Sequence, residues 1–233
     1  MLSAINLNPN DAKVYFELGE VLIQMQQFAP ALENYQTAIN LDASYIEARQ
    51  RVATMLLASR QITPAENHVT HLLDLDPKNI ETQILKAGIE NAKGNKDNAR
   101  AILEPLFAEN PENVTVMASL AVIELMEDKL DRAEELYLKI LKASPNDSNA
   151  RLALADIYIR QGRIDDGQDS IEQLIEKYPD NANLRYRFAE FLTRRSDEAG
   201  AKDQYLHILE THPLRHDARD RLYDIYLVNQ QLD

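Results

Sequence analysis

The sequence predicts an all-α protein built as a line of helix pairs, and three observations carry that prediction. Prolines recur with a period of 34 residues. Small residues recur with the same period at two further positions, and bulky apolar residues repeat between them. The composition, 45% hydrophobic and 27% charged with only six glycines, is rich in Ala, Leu, Glu, Asn, Gln and Arg, which favours helix over strand and folding over disorder.

The proline ladder sets the punctuation. Six of the nine prolines, Pro9, Pro77, Pro111, Pro145, Pro179 and Pro213, lie on it, and only Ala43 interrupts it. Proline lacks an N–H and clashes with the preceding turn, so the rungs mark helix ends. Two residues beyond each rung come Asp11, Tyr45, Asn79, Asn113, Asp147, Asn181 and Arg215, five of them good N-caps for a following helix. The small-residue ladders are Gly19, Ala53, Ala87, Ala121, Ala155 and Ala189, then Ala31, Ala65, Ala99, Ala133, Gly167 and Ala201. Both mark close backbone approach between helices. Leu18, Val52, Leu120, Leu154, Phe188 and Leu222 fill the first helices, and Tyr35, Val69, Leu103, Tyr137, Ile171 and Tyr205 the second.

Taken in order, residues 1–11 read as the end of a second helix and its closing turn, with Ala4 and Pro9 on their rungs. Six full helix pairs follow at 12–45, 46–79, 80–113, 114–147, 148–181 and 182–215. Residues 216–233 hold a first helix, over His216 to Gln230, without its partner. The reading is therefore of one array taken from a longer protein. Ile225, Tyr226, Leu227 and Val228 clothe that last helix in apolar side chains, where a terminal repeat usually turns a polar face outward, so a cover is expected. That cover is either further repeats of the longer protein or a second copy of the chain, and the second option predicts self-association through the uncapped ends. Lys86, Glu90 and Glu124 depart from the apolar pattern, and Pro105 within a second helix predicts local looseness or a kink.

In the first pair, Tyr15, Leu18-Gly19, Leu22, Ala31, Tyr35 and Ala38 stand in the order and spacing of the tetratricopeptide-repeat (TPR) consensus, which the whole chain resembles without insertion or deletion. The resemblance implies a right-handed α-α superhelix, a TPR solenoid, whose first helices, here called A, line a concave groove. In that family the outward positions two, five, six, nine, twelve and thirteen of helix A usually meet a ligand. Carried onto this chain, the groove residues are Phe16, Glu20, Arg51, Ile84, Gly88, Ala118, Val122, Leu125, Leu152, Asp156, Tyr186, Arg187 and Arg194. Ile84, Val122, Leu125 and Leu152 would form an apolar strip, flanked by Arg187, Arg194 and Arg221 on one side and Glu17 and Glu20 on the other. The Lys and Asn of the chaperone-tail clamp, at positions five and nine, are replaced by Phe16 and Glu20, Gln50 and Thr54, and Ile84 and Gly88, so that ligand is disfavoured.

Charge and composition exclude other classes. A net charge of −13 repels nucleic acid. The absence of cysteine rules out disulfides and thiolate chemistry but leaves cytoplasm and periplasm equally open. No apolar run of about 18 residues is present to insert into a bilayer. His68 and His71, with Asp74 one turn on, are too sparse for a metal site, and no phosphate loop, dinucleotide fingerprint or nucleophile elbow occurs, so no cofactor and no catalysis are expected. The resemblance implies a scaffold that binds a peptide or partner protein in its groove. Its alternatives are the recognition arm of an enzyme whose catalytic domain lies elsewhere, or a self-assembling array. The Asn-Pro and Asp-Pro closures resemble those of bacterial TPR adaptors.

Overall fold

The computed structural model describes residues 8–230, with side chains from 8 to 227, and contains thirteen α-helices and no strand among them. In chain order these are α1 (Ala12–Gln24), α2 (Phe28–Leu41), α3 (Ile46–Ala58), α4 (Ile62–Leu75), α5 (Ile80–Ala92), α6 (Lys96–Glu109), α7 (Val114–Met126), α8 (Leu130–Ala143), α9 (Ser148–Arg160), α10 (Ile164–Lys177), α11 (Ala182–Arg194), α12 (Glu198–Thr211) and α13 (His216–Gln230). Odd-numbered helices are the A helices. The chain divides into two compact units, Met1–Glu127 and Asp128–Asp233, and the division passes between the two helices of the fourth period. The expectation for residues 1–7, Ala4 included, lies outside the described residues.

Local chemistry explains where the helices start. Asp11, Asn79, Asn113, Asp147 and Asn181 each accept a backbone N–H of the first helical turn through the side chain, which satisfies a donor the helix itself leaves unpaired. Tyr45 offers α3 no such bond. Between the helices of each pair the backbone turns through the left-handed region at Gln26, Arg60, Gly94, Asp128, Gly162 and Ser196, with φ between 58° and 88°. These six positions form a further ladder of the same period, and only two of them are glycine, the residue that adopts this conformation without steric cost.

Proline inside a helix is tolerated here for two different reasons. Pro30 and Pro64 occupy the third residue of α2 and α4, where the missing N–H would have had no intrahelical partner. Pro105 lies deep in α6, yet the helix runs unbroken from Lys96 to Glu109. Pro105 and Ala101, whose carbonyl the ring leaves unpaired, are both exposed, so water can take the lost bond.

In the first unit α1 packs on α2, α3 on α4 and α5 on α6, while α2, α4 and α6 each pack on the next A helix. The small rungs sit at these crossings: Ala31, Ala53, Ala65, Ala87, Ala99 and Ala121 are completely buried. Gly19 is buried against the ring of Tyr35, which a Cβ would strike. Tyr35, Val52, Val69 and Ile89 complete one core cluster. The second unit repeats the scheme with Ile171, Phe188, Phe191, Tyr205, Ile208 and Leu222. On α13, Ile225 belongs to this core, whereas Tyr223, Tyr226 and Leu227 are exposed and the Val228 side chain lies outside the described residues.

Two of the departures from the apolar pattern, Glu124 and Glu90, find polar partners. Glu124, 3% exposed, meets the Arg100 guanidinium at 3.2 Å, and Arg100 reaches Glu127 at 2.5 Å. These bonds, those to Glu124 foremost, raise the affinity of Arg100 for its proton against the opposing effect of burial. Glu90 accepts from Asn95 and Asn98 at 3.0 and 3.2 Å, which holds its carboxyl below the usual range. Lys86 is exposed.

Candidate functional site: the faces of the A helices

The A helices of each unit carry the predicted groove positions, and two kinds of feature appear there. One is a pair of matching polar triads. In the first unit the Tyr35 hydroxyl of α2 donates to Glu20 of α1 at 2.5 Å, and Arg51 of α3 grips the same carboxylate at 2.7 and 3.0 Å. In the second unit the Tyr205 hydroxyl of α12 donates to Glu190 of α11 at 2.7 Å, and Arg221 of α13 meets it at 3.1 Å. The hydrogen bonds from Arg51 are the chief reason the Glu20 carboxyl lies below its ordinary range, with Tyr35 adding to the effect and burial opposing it. Burial first, then the neighbouring carboxylate, pushes both tyrosines upward.

The triads change the meaning of three residues that the sequence offers as ligand contacts. Glu20 and Arg51 neutralise each other and tie α1 to α3, and Arg221 is held by Glu190. Glu17 stands 3.9 Å from Lys13. Arg187 and Arg194 are exposed and form no hydrogen bond or ion pair with another described residue.

The second feature is a set of three cavities. In the first unit a cavity of about 540 Å³ is lined by Phe16, Glu47, Gln50, Arg51, Thr54, Glu81, Ile84, Leu85 and Thr115, all from α1, α3, α5 and α7. A smaller one of about 190 Å³, also in this unit, brings Gly88 and Val122 together with Asn91 and Ser119. In the second unit about 330 Å³ is enclosed by Leu152, Asp156, Tyr186, Arg187 and Arg194 with Ala155, Ile159, Ile171, Glu190 and Phe191. Glu20, Ala118 and Leu125, all half-buried, line none of the three. Of the apolar strip, Ile84, Val122 and Leu125 belong to the first unit and Leu152 to the second.

A polar network backs the first of these cavities through Gln50. The Gln50 amide donates to Asn79 Oδ1 at 3.0 Å and approaches Thr82 Oγ1 at 3.3 Å, so a nearly buried glutamine links α3 to the N-cap of α5. Phe16 stands 5.7 Å from Tyr35 and 5.2 Å from Tyr45, ring centre to ring centre. Glu47, Glu81 and Thr115 were not among the residues singled out from sequence, although all three occupy position two of their repeats, and that shared rung is the signal that would have found them. Ile171 and Phe191 carry no such signal, because they belong to the core and also floor the cavity of the second unit.

Elsewhere the chemistry is sparse. Among the described residues no cluster of His, Asp or Glu is arranged to hold a metal, and His68 has the Arg49 guanidinium 3.5 Å from its Nδ1. Burial foremost, then the positive charge of Arg49, lowers the affinity of that imidazole for a proton. No helix among the described residues is long and apolar enough to cross a membrane.

Comparison with known proteins agrees with the architecture. Sequence models of the tetratricopeptide repeat match residues 12–45, 90–149 and 124–180, together more than half of the chain. No curated protein matches significantly. Among solved structures, a chain of the APC/C hetero-tetramer Cut9–Hcn1 superposes with a TM-score of 0.78 over 96% of this chain at 14% identity. A tetratricopeptide-repeat protein from Parabacteroides merdae gives 0.72 over 96% of this chain and 89% of its own, at 17% identity. The human IFIT1 dimer solved with PPP-AAAA gives 0.83 over 99% of this chain, at 15% identity. The present chain spans 44% of the Cut9–Hcn1 chain and 58% of the IFIT1 chain. At these identities the likeness is one of fold, and with the matched repeats, the helix pairs and the period of 34 it leads to one conclusion: the chain belongs to the tetratricopeptide-repeat family.

Proposed function

We propose that this chain is a binding scaffold that holds a segment of another protein against the faces of its A helices. Proteins of this repeat family are generally non-catalytic interaction scaffolds, and the proposal adds the surface used. The observation that carries it is the lining of the A-helix cavity in the first unit, which draws all its residues from four successive A helices and none from a second helix. A face of this kind presents side chains at helical spacing to an extended or helical ligand, with apolar contacts for affinity and fixed polar groups for register. The same reading takes the chain as six repeats, at 12–45, 46–79, 80–113, 114–147, 148–181 and 182–215, with part of a repeat on either side, and supposes no reaction of its own.

Val122 is exposed and Leu152 half-buried, so each can be changed to Glu without placing a charge in the core. Proteins co-purifying from the native source with the wild-type chain are expected to be lost from the V122E/L152E variant, while the circular-dichroism spectrum and melting temperature stay unchanged. Retention of every partner would refute the surface assignment. A collapsed melting transition would show that these side chains are core.

A further inference from the structure

The cavity of the first unit that α1, α3, α5 and α7 line has a specific chemical character that its family membership does not supply. Its walls carry two carboxylates, Glu47 of α3 and Glu81 of α5, on the same rung of successive repeats. Both are exposed, and neither forms a hydrogen bond or an ion pair with another described residue. The one cation in the lining, Arg51, is already gripped by Glu20, so this pair contributes no net charge. The same lining holds the half-buried ring of Phe16 and the apolar side chains of Ile84 and Leu85. The cavity is thus negative, open and partly aromatic.

We propose, taking the A-helix faces as the binding surface, that this cavity accepts a basic side chain, best an arginine, with an apolar side chain beside it on the same ligand segment. A guanidinium has five donors in a planar fork, which suits two carboxylates approached from different helices, and its flat face stacks on an aromatic ring. Phe16 supplies that ring, and its packing against Tyr35 and Tyr45 fixes its orientation before the ligand arrives. Ile84 and Leu85 would cover the neighbouring apolar side chain. An acidic segment meets two carboxylates against a single guanidinium that Glu20 already holds and Glu81 also attracts, which costs it affinity by like-charge contact. The net charge of −13 works in the same direction and steers a cationic segment toward the chain.

The test is selection of a random dodecapeptide display library on the full chain, followed by synthesis of the enriched peptides and fluorescence anisotropy. Peptides with Arg or Lys next to Leu, Ile or Phe are expected to dominate. Their affinity should fall on the order of tenfold in the E47Q/E81Q variant, and rising salt should weaken wild-type binding more steeply than binding to the variant. I84S should weaken the same peptides, while the melting temperature of each variant stays at the wild-type value. Enriched peptides that lack basic residues but lose binding on I84S or V122E would overturn this inference and leave the A-helix surface standing. Peptides indifferent to all these substitutions, or a library that yields no cavity-dependent binder, would overturn both.

Discussion

The triad of Glu20, Tyr35 and Arg51 permits a quantitative test of how repeats are coupled. Tyr35 is fully buried and its hydroxyl has a carboxylate acceptor at 2.5 Å, whereas Arg51 reaches the same carboxylate from an exposed position. Glu20→Ala leaves the phenol without that acceptor, at about 1–3 kcal/mol, and removes an exposed ion pair worth about 0–1 kcal/mol. Tyr35→Phe keeps the ion pair and forfeits one hydrogen bond, about 1 kcal/mol. The double variant has no stranded hydroxyl, so it should be more stable than the sum of the single losses by about 1 kcal/mol. Urea unfolding of the four proteins at pH 7, followed by circular dichroism, measures this coupling. Glu20 has a lowered pKa in the folded chain, so its contribution is complete above the ordinary glutamate value and disappears as pH falls through the lowered one. The coupling should therefore shrink on acidification to about pH 3, below the ordinary glutamate range. Strict additivity at pH 7 would refute the claim that the carboxylate, and not packing alone, holds the tyrosine.

Two further perturbations address the turns and caps. Gln26 and Arg60 take left-handed backbone angles of 58° at exposed sites, where Gly94 and Gly162 stand in later repeats. Gln26→Gly and Arg60→Gly should each stabilise the chain by about 0.5–1 kcal/mol, the relief of strain exceeding the entropy lost by glycine, and a lower urea midpoint would show the reverse. Asn79→Ala removes an acceptor for the Thr82 N–H and for the Gln50 amide together, so it should cost about 1–2 kcal/mol, more than the loss of a solitary cap, and an unchanged midpoint would exclude the network from any structural role.

The architecture was legible because a repeat states its packing rules several times. One alanine at residue 31 means little. Alanine or glycine at that rung in six successive repeats means a helix crossing, and all six are buried. N-caps were equally readable, since Asn and Asp act on the backbone of their own turn and need no distant partner. The left-handed ladder was hidden because four of its six positions hold Gln, Arg, Asp or Ser, of which only Asp favours the left-handed backbone at all.

What the sequence determined by itself was local and periodic: helix starts and stops, the small and large faces of each helix, and the period that makes neighbouring helices pack alike. Tertiary structure alone decided which charges remain available to a ligand. Glu20 and Arg51 were equally plausible as contacts with a partner until their side chains were found on each other, and Glu47 and Glu81 drew no notice until they stood unpaired in a cavity. The physical reason is distance. Backbone capping and small-to-large packing act between residues whose separation the repeat sets, whereas an ion pair between long, flexible side chains depends on rotamers and on whatever competing charge lies within a few ångströms.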